Sequence, residues 1–358
     1  MKKKSVLKNI IEKLKKNSGE QHVLIGFDGF IDEIIEVVAT RKNAEKYEKI
    51  KTITEFSEKI AAMAGLSGNI ELVSKETRFG GNGPIMANAL LNQGFSVDYI
   101  GALGKEKINP LFDEFVSKCE KVISLSEPGH TDALEFNDGK VMLGRINQLY
   151  EVNWQNLQKH ISEKELAKLV KKYALIAITN WSSLPELSSV MRGFLKIFET
   201  QPFDGNVFFD LADPKKRTEK DISEALSIIG NFGNTAILGM NKNESDVICR
   251  VLKISENDIP QRAKLIREKL EIKAVTIHPL DGAAVSTEKG TWWFDGPYTK
   301  NPKLTTGAGD NYNAGFCSGW LSGFSPEECL ALGVYTSGFY VRECHSPTRE
   351  ELIDFMNM

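Results

Sequence analysis

Short apolar runs recur along the chain and alternate with amphipathic stretches. The runs are HVLIGF, VDYIGA, ALIAIT, NVFFDL, TAILGM and AVTIHP, which begin at residues 22, 97, 174, 206, 235 and 274. Runs of this length are typical of strands that are buried on both faces. The intervening segments 85–93, 185–198 and 259–270 have the spacing of helices. This order predicts an α/β protein with a mostly parallel sheet, helices on both faces, and ligands at the carboxyl ends of the strands.

Two stretches, 33–77 and 131–145, depart from this alternation. The first contains a helical pattern at 55–63, and the second has the pattern of a hairpin that turns at Asn137-Asp138-Gly139. No linker or repeat divides the chain. The sequence therefore predicts a single domain, 1–358, in which these two segments form a small β flap over the site.

The first residues of the chain are basic, and an apolar stripe runs through 6–14 at helical spacing. Charged residues interrupt the stripe, so it lacks the apolar region of a signal peptide, and no segment is long enough to span a bilayer. We expect this helix to dock on the protein's own surface rather than on a membrane. A cytoplasmic location is the corresponding prediction.

Charge and cysteine content narrow the classes of ligand. The formal net charge of -3 and the pI near 6.1 provide no basic field for nucleic acid, whose phosphates dominate the affinity of most of its binders. The five cysteines include no C-x-x-C pair, which argues against a disulfide framework and a zinc site. A small-molecule ligand is the better prediction.

The segment LTTGAGDNYNAGF, 304–316, combines a bare loop with a carboxylate at a helix start. Backbone N–H groups of Gly307, Ala308 and Gly309 would point at one place, where the helix dipole adds positive charge, and so form an anion hole. Asp310 would repel a bound phosphate, but it is well placed to act as the general base that deprotonates an attacking hydroxyl. The alternative is that Asp310 is an ordinary helix cap.

Two weaker motifs accompany it. Gly80 and Gly81 precede a helix, which is also typical of a simple tight turn. Asn241 and Glu244 follow an apolar run at a spacing of three residues, so that the two side chains face the same way and could hold a hydrated Mg²⁺. The alternative there is a helix cap with a capping-box glutamate.

In this order, the three motifs resemble the ribokinase-like (PfkB) family of carbohydrate and nucleoside kinases. TTGAGDNYNAGF is similar to the family's C-terminal signature D-T-x-G-A-G-D-x-F-x-x-G-F, and GGNGPIMANALLNQGFSVDYIGALG is similar to its N-terminal Gly-Gly signature. The similarity extends over about 22–347. It implies a three-layer α/β/α sandwich with a mostly parallel central sheet and a small β lid, ATP-Mg²⁺ as donor, and transfer of the γ-phosphoryl group to a hydroxyl.

Carried over by residue, the resemblance implies the same base and anion hole as the local argument. It assigns Asn241 and Glu244 to the organisation of Mg²⁺, through water, and of the phosphates. Candidates for the nucleotide pocket are His278, Gly282 and His345.

The acceptor site would involve the segment GFDGFIDEII, where the family places an aspartate shortly after a glycine. Asp28 and Asp32 are both candidates, because a carboxylate can accept hydrogen bonds from two sugar hydroxyls. For each of them, the alternative is that the side chain caps a turn. Further acceptor contacts are predicted from Gly80, Gly81 and Asn82.

The chain departs from the family pattern at several positions. Leu304 stands where the signature has an aspartate that contributes to a monovalent-cation site in some members, which argues against activation by potassium. In the segment DPKKR, Lys215 replaces the asparagine of the family's D-P-N-x-R. The stretch between residues 32 and 78 is longer than usual, so a larger lid or a homodimer contact is expected.

The leading hypothesis is an ATP-dependent kinase of a sugar or related small polyol. A nucleoside kinase of the same fold is an alternative, because a ribosyl group satisfies the same aspartate. A non-catalytic nucleotide- or sugar-binding protein is a third hypothesis. A dehydrogenase is disfavoured, since no G-x-G-x-x-G follows the first predicted strand.

Overall fold

The computed structural model describes residues 2–16 and 21–358, and fourteen strands and thirteen α-helices lie within these ranges. The strands are β1 His22–Gly26, β2 Phe30–Arg41, β3 Tyr47–Lys49, β4 Leu72–Gly80, β5 Ser96–Gly101, β6 Lys121–Ser124, β7 Gly129–Phe136, β8 Gly139–Arg145, β9 Tyr173–Ile178, β10 Asn206–Asp210, β11 Ala236–Asn241, β12 Ala274–His278, β13 Gly282–Thr287 and β14 Gly290–Asp295. The helices are α1 Lys2–Lys16, α2 Ile53–Ala61, α3 Asn82–Asn92, α4 Asp113–Lys118, α5 Trp154–His160, α6 Glu163–Val170, α7 Leu187–Thr200, α8 Glu219–Gly230, α9 Lys242–Leu252, α10 Ile259–Leu270, α11 Ala308–Leu321, α12 Pro326–Glu343 and α13 Arg349–Asn357.

Nine strands form the central sheet, in the order β14-β13-β12-β11-β10-β9-β1-β5-β6. All neighbours from β12 to β6 are parallel, and β13 and β14 add two antiparallel pairs at one edge. The six apolar runs of the sequence coincide with β1, β5, β9, β10, β11 and β12. The mostly parallel sheet is therefore confirmed.

Helices cover both faces of this sheet, because successive side chains of each buried strand point to opposite sides. In β1, Leu24 enters the hydrophobic core beneath α5 to α10, whereas Val23 and Ile25 enter the core beneath α1, α3, α4 and α11 to α13. These two cores give three layers, as expected for an α/β/α sandwich.

The second sheet is made of β2, β3, β4, β7 and β8, and the long strand β2 pairs with three of the others. Its strands lie within 30–80 and 129–145, which extend up to three residues beyond the predicted segments 33–77 and 131–145. The turn between β7 and β8 lies at Asn137-Asp138, as predicted. A small core of its own includes Ile35, Val37 and Leu134, with Phe56 of α2 packed against it. Because β2 follows β1 after a three-residue bend, this sheet begins at the carboxyl end of the central sheet. Its action as a lid stays a prediction.

The N-terminal helix docks on the protein, as its apolar stripe predicted. Leu7, Ile10 and Leu14 of α1 are buried in the core that also contains α12 and α13. Lys13 Nζ lies 2.6 Å from Glu328 Oε2 at the start of α12. Within the described ranges, no helix is long and apolar enough to cross a membrane.

Candidate active site

The start of α11 lies at the carboxyl ends of the parallel strands. Gly307 precedes the helix with φ 93°, and a Cβ there would lie 2.6 Å from the Tyr340 hydroxyl, so both backbone and space require glycine. The Tyr340 hydroxyl donates a hydrogen bond to the carbonyl of Thr306. This bond attaches the loop before α11 to α12. Asp310 follows in the first helical turn and is only 7% exposed.

The backbone amides of the predicted anion hole differ in their hydrogen bonding, and the binding of an anion there stays a prediction. The N–H of Ala308 donates to the Thr305 carbonyl at 3.1 Å, so this amide is already used in the turn that leads into the helix. The N–H groups of Gly307 and Gly309 have no acceptor among residues 2–16 and 21–358. Two of the three predicted amides are therefore free for an anion, and the dipole of α11 supports them.

Asp310 opens onto a cavity of about 250 Å³ between the start of α11 and the second sheet. Asp32 and Thr131 line it from the second sheet. Gly81 and Asn82, at the start of α3, line it from a third side. Residues from segments that are separated along the chain therefore meet at one small cavity.

Asp32 projects into this cavity from β2, where its neighbours across the sheet are Arg78 on β4 and Thr131 on β7. Burial raises the pKa of Asp32, and the Thr131 hydroxyl and the charge of Arg78 oppose that rise. A Cβ at Gly80 would lie 2.2 Å from Asp32 Oδ2. Gly80 does not line the cavity itself; its missing side chain leaves room for the Asp32 carboxylate.

Asp28, the other predicted acceptor ligand, has a different place. It is fully buried and does not line the cavity. Its carboxylate accepts the backbone N–H groups of Asn82 at 2.9 Å and Gly83 at 2.8 Å, and the side-chain amide of Asn180. Burial raises the pKa of Asp28 to about 6. The observed role of Asp28 is to hold the start of α3 with both of its oxygens, and its predicted contact with the acceptor stays a prediction.

Three further carboxyl groups, those of Asp210, Asp28 and Glu244, act on the carboxyl group of Asp310. Burial raises the pKa of Asp310 well above its usual range, and the charges of Asp210, Asp28 and Glu244 add to the effect, which a hydrogen bond from Asn82 partly opposes. Burial and the charge of Asp210 likewise raise the pKa of Glu244. Such a concentration of carboxylate oxygens suits a hard divalent cation, which would offset their mutual repulsion.

Asn241 and Glu244 form the capping box that the sequence offered as the alternative to metal binding. Asn241 Oδ1 accepts the N–H of Glu244 at 3.0 Å, and Glu244 Oε2 accepts the N–H of Asn241 at 2.8 Å. The side-chain amide of Asn241 also donates to Glu244 Oε1 at 2.5 Å. The cap holds both side chains at the carboxyl end of β11, so the capping role is observed and the metal role stays a prediction.

The three nucleotide-pocket candidates lie in different surroundings. His278 is beside the helix start, since a Cβ on Gly309 would be 3.4 Å from its Cε1, and burial lowers its pKa to about 4, so the ring is neutral near pH 7. Gly282 is buried in β13, where an added Cβ would meet Trp293 at 2.5 Å; its observed role is packing. His345 is exposed, contacts Glu351, and lines a neighbouring cavity of about 360 Å³.

Three further residues of the site were not among the candidates from the sequence. Asn180 follows β9 with φ 58°, a conformation that asparagine tolerates, and Lys216 follows β10. Asp210, the last residue of β10, accepts hydrogen bonds from Ala212 and Asn313. All three lie at or after the carboxyl ends of parallel strands, and that position was the one available signal.

The comparisons with known proteins identify the family and the fold of this chain. A family model described as prokaryotic ketohexokinase matches residues 2–358. The ketohexokinase of Haloferax volcanii is 29% identical over 339 residues, which are 93% of this chain and 90% of that protein. Ribokinase from Thermotoga maritima superposes with a TM-score of 0.66 at 17% identity, and Arabidopsis thaliana ribokinase, complexed with ribose and ATP, with 0.67 at 16%. Both cover 95% of this chain and 99% of theirs, which confirms the ribokinase-like fold. The chain belongs to the prokaryotic ketohexokinase family and is a carbohydrate kinase.

Proposed function

We propose that this carbohydrate kinase transfers the γ-phosphoryl group of ATP to a hydroxyl of a ketohexose, with Asp310 as the general base. The observation that carries the proposal is the single cavity of about 250 Å³ that Asp310 shares with Asp32. This volume lies below the range of drug-sized sites and suits one monosaccharide. The family of the chain and the name of its Haloferax volcanii relative support a ketohexose as the sugar.

Proton transfer would be the task of Asp310. A carboxylate that takes a proton from a hydroxyl works best when its pKa approaches the working pH, and burial with neighbouring carboxylates moves the Asp310 pKa in that direction. The free N–H groups of Gly307 and Gly309 would face the transferring phosphoryl group from the start of α11. Preorganised donors of this kind stabilise the charge that develops during transfer.

Asp32 would anchor the sugar. Its carboxylate accepts hydrogen bonds from hydroxyl groups, and the polar side chains of Asn82, Asn180 and Thr131 line the same cavity. Gly80 leaves the space that this carboxylate occupies, because a side chain at residue 80 would overlap with it. The acceptor site therefore holds its sugar between the second sheet and the start of α11.

Asp210 and Glu244 are the carboxylates that would hold a hydrated Mg²⁺, with Asn241 orienting Glu244. When bound, the ion would offset the negative charge of the phosphates of ATP. The neutral ring of His278, beside Gly309, would form part of the wall against which the nucleotide lies.

A coupled ADP-release assay across acceptors tests this proposal. We expect fructose or another ketohexose to give the highest kcat/KM, with lower values for ribose, fructose phosphates, adenosine and inosine. Preferential turnover of a nucleoside would overturn the acceptor assignment. Thermal stabilisation by ATP and sugar without ADP release would indicate a binding protein instead.

Two further expectations can be measured in the same preparation. Replacing K⁺ with tetramethylammonium should leave the rate unchanged, because Leu304 supplies no carboxylate for a monovalent cation. A homodimer through the second sheet stays a prediction, and light scattering coupled to gel filtration measures it. A cytoplasmic location likewise stays a prediction.

A further inference from the structure

Lys216 is the only lysine or arginine among the described residues that line the 250 Å³ cavity. The charged groups that share this lining with it are the carboxyl groups of Asp32 and Asp310. The ammonium group of Lys216 makes no hydrogen bond or ion pair with residues 2–16 or 21–358. Its charge is therefore available to a ligand.

The backbone that carries Lys216 is held on both sides. On one side, the Asp213 carboxylate accepts the N–H of Lys215 at 3.1 Å, and Pro214 begins the short 3₁₀ turn. On the other side, the Arg217 guanidinium lies 4.5 Å from the centre of the Trp181 ring and donates to the Pro185 carbonyl at 3.3 Å. These anchors fix the turn at the mouth of the cavity, so the lysine is supported rather than carried on a loose loop.

The adjacent lysine provides a contrast. Lys215 is exposed, as Lys216 is, but it does not line the cavity. It is Lys215 that occupies the asparagine position of the family motif, so the motif directed attention to the wrong member of the pair. The two side chains have the same chemistry and differ in where the turn directs them.

The charged groups around the cavity indicate which part of a ligand Lys216 would bind. A phosphoryl group that enters this cavity approaches Asp32 and Asp310, and Asp210 and Glu244 act on Asp310 from behind. Each of these groups repels it when ionised. A lysine ammonium is a compact point charge that suits phosphate oxygens, and in a partly enclosed cavity its attraction is stronger than in bulk water.

We propose that Lys216 is a catalytic residue that contacts the phosphoryl group during its transfer. This inference rests on the proposed function, because it requires the transfer to occur in this cavity. In the step, the bond between the sugar oxygen and the γ-phosphorus forms, and the bond from that phosphorus to the ADP oxygen breaks. The hydroxyl proton goes to Asp310. Lys216 keeps its protons and stabilises the oxygens of the group in transit.

Three variants test this role by steady-state kinetics. Lys216→Met removes the charge and keeps the length, and we expect kcat to fall about 10²- to 10³-fold with the KM for sugar changed less than about threefold. Lys216→Arg should retain more activity than Lys216→Met, because it restores a cation. Lys215→Met is the matched control and should match the wild type.

Binding measurements provide a readout that does not depend on turnover. Isothermal titration of the Mg²⁺-containing protein should show unchanged affinity of Lys216→Met for ADP, which lacks the γ-phosphoryl group. Its affinity for β,γ-methylene-ATP should fall at least about fivefold, as expected for loss of one charged contact. Lys215→Met should bind both nucleotides normally.

The outcomes separate the two proposals. Wild-type kcat together with normal binding of β,γ-methylene-ATP in Lys216→Met overturns the role of Lys216 and leaves the kinase reaction intact. A rise in the KM for sugar alone also overturns it, because Lys216 would then bind the acceptor. If the wild type phosphorylates no sugar, the proposed function fails, and the titrations still decide whether Lys216 contacts the γ-phosphoryl group.

Discussion

Asp210 and Asp310 are one hundred residues apart in the chain, yet the charge of Asp210 helps to raise the pKa of Asp310. The side-chain amide of Asn82 interacts with both carboxyl groups, and Asn313, one turn after Asp310 on α11, donates to Asp210 at 2.7 Å. Burial accounts for the larger part of the pKa shift at each aspartate. The carboxyl groups at the end of β10 and at the start of α11 are therefore coupled, so the charge of one affects the pKa of the other.

Asp310→Asn removes the proposed base and keeps the shape of the side chain. We expect kcat to fall about 10²-fold or more, because the hydroxyl loses its proton acceptor. Nucleotide affinity should be retained or slightly increased, since a negative charge is lost near the phosphates. Stopped-flow ADP release and titration with ADP measure the two quantities. Wild-type turnover in this variant would remove Asp310 from the reaction.

The pH dependence of kcat/KM should report the raised pKa of Asp310. A base works only when deprotonated, so kcat/KM should fall as the pH decreases through that pKa, at a higher pH than for an ordinary carboxyl group. Asp210→Asn removes a neighbouring negative charge, so at saturating Mg²⁺ the Asp310 pKa should fall and this acid limb should move to lower pH, while loss of a proposed Mg²⁺ ligand lowers the rate itself.

Asp354→Asn, which changes an exposed acid on α13, is the control for charge alone and should leave the limb where it is. A limb that does not move in Asp210→Asn would show that the two carboxyl groups are not coupled.

Asp28→Asn should lower the stability of the protein, whereas Asp32→Asn should weaken the binding of the sugar. Asp28→Asn places an amide N–H against backbone donors in a fully buried site, so the free energy of unfolding should fall by about 3 kcal/mol. Asp32→Asn changes a group at the cavity surface, so stability should change little while the KM for sugar rises about 10- to 100-fold. Urea denaturation and acceptor kinetics measure the two effects. A large change in acceptor KM with unchanged stability in Asp28→Asn would return Asp28 to the substrate site.

Glu244→Gln separates the capping role from the metal role. Glutamine also serves in a capping box, so the thermal stability should be close to that of the wild type. The Mg²⁺ concentration for half-maximal rate should rise roughly tenfold, because a carboxylate that orients the hydrated ion is lost. Glu165→Gln alters the capping box of α6 and is the matched control. Equal Mg²⁺ dependence in the two variants would show that Glu244 acts only in the helix cap and does not help to hold the ion.

Much of the fold followed from local pattern. Strands buried on both faces need continuous apolar runs, and the six runs in the sequence became six adjacent parallel strands. β13 and the edge strands β6 and β14 were not among these apolar runs. β6 is short, and β14 is largely half-buried, so neither carries a continuous apolar signal. Edge positions need less apolar surface, and the pattern is correspondingly weaker there.

The sequence by itself determined the α/β layers, the helix start at Asp310 and the bare loop before it, because strand burial and helix geometry act over a few neighbouring residues. Only the tertiary structure shows that Asp32 lines the cavity and that Asp28 does not. The two differ by four positions, but one lies in the bend after β1, under α3, and the other on β2, facing a cavity made by distant strands. The same holds for Lys216 and Lys215, since which of the two lines the cavity depends on how the turn after β10 is anchored to Trp181 and Pro185, and no local spacing encodes that contact.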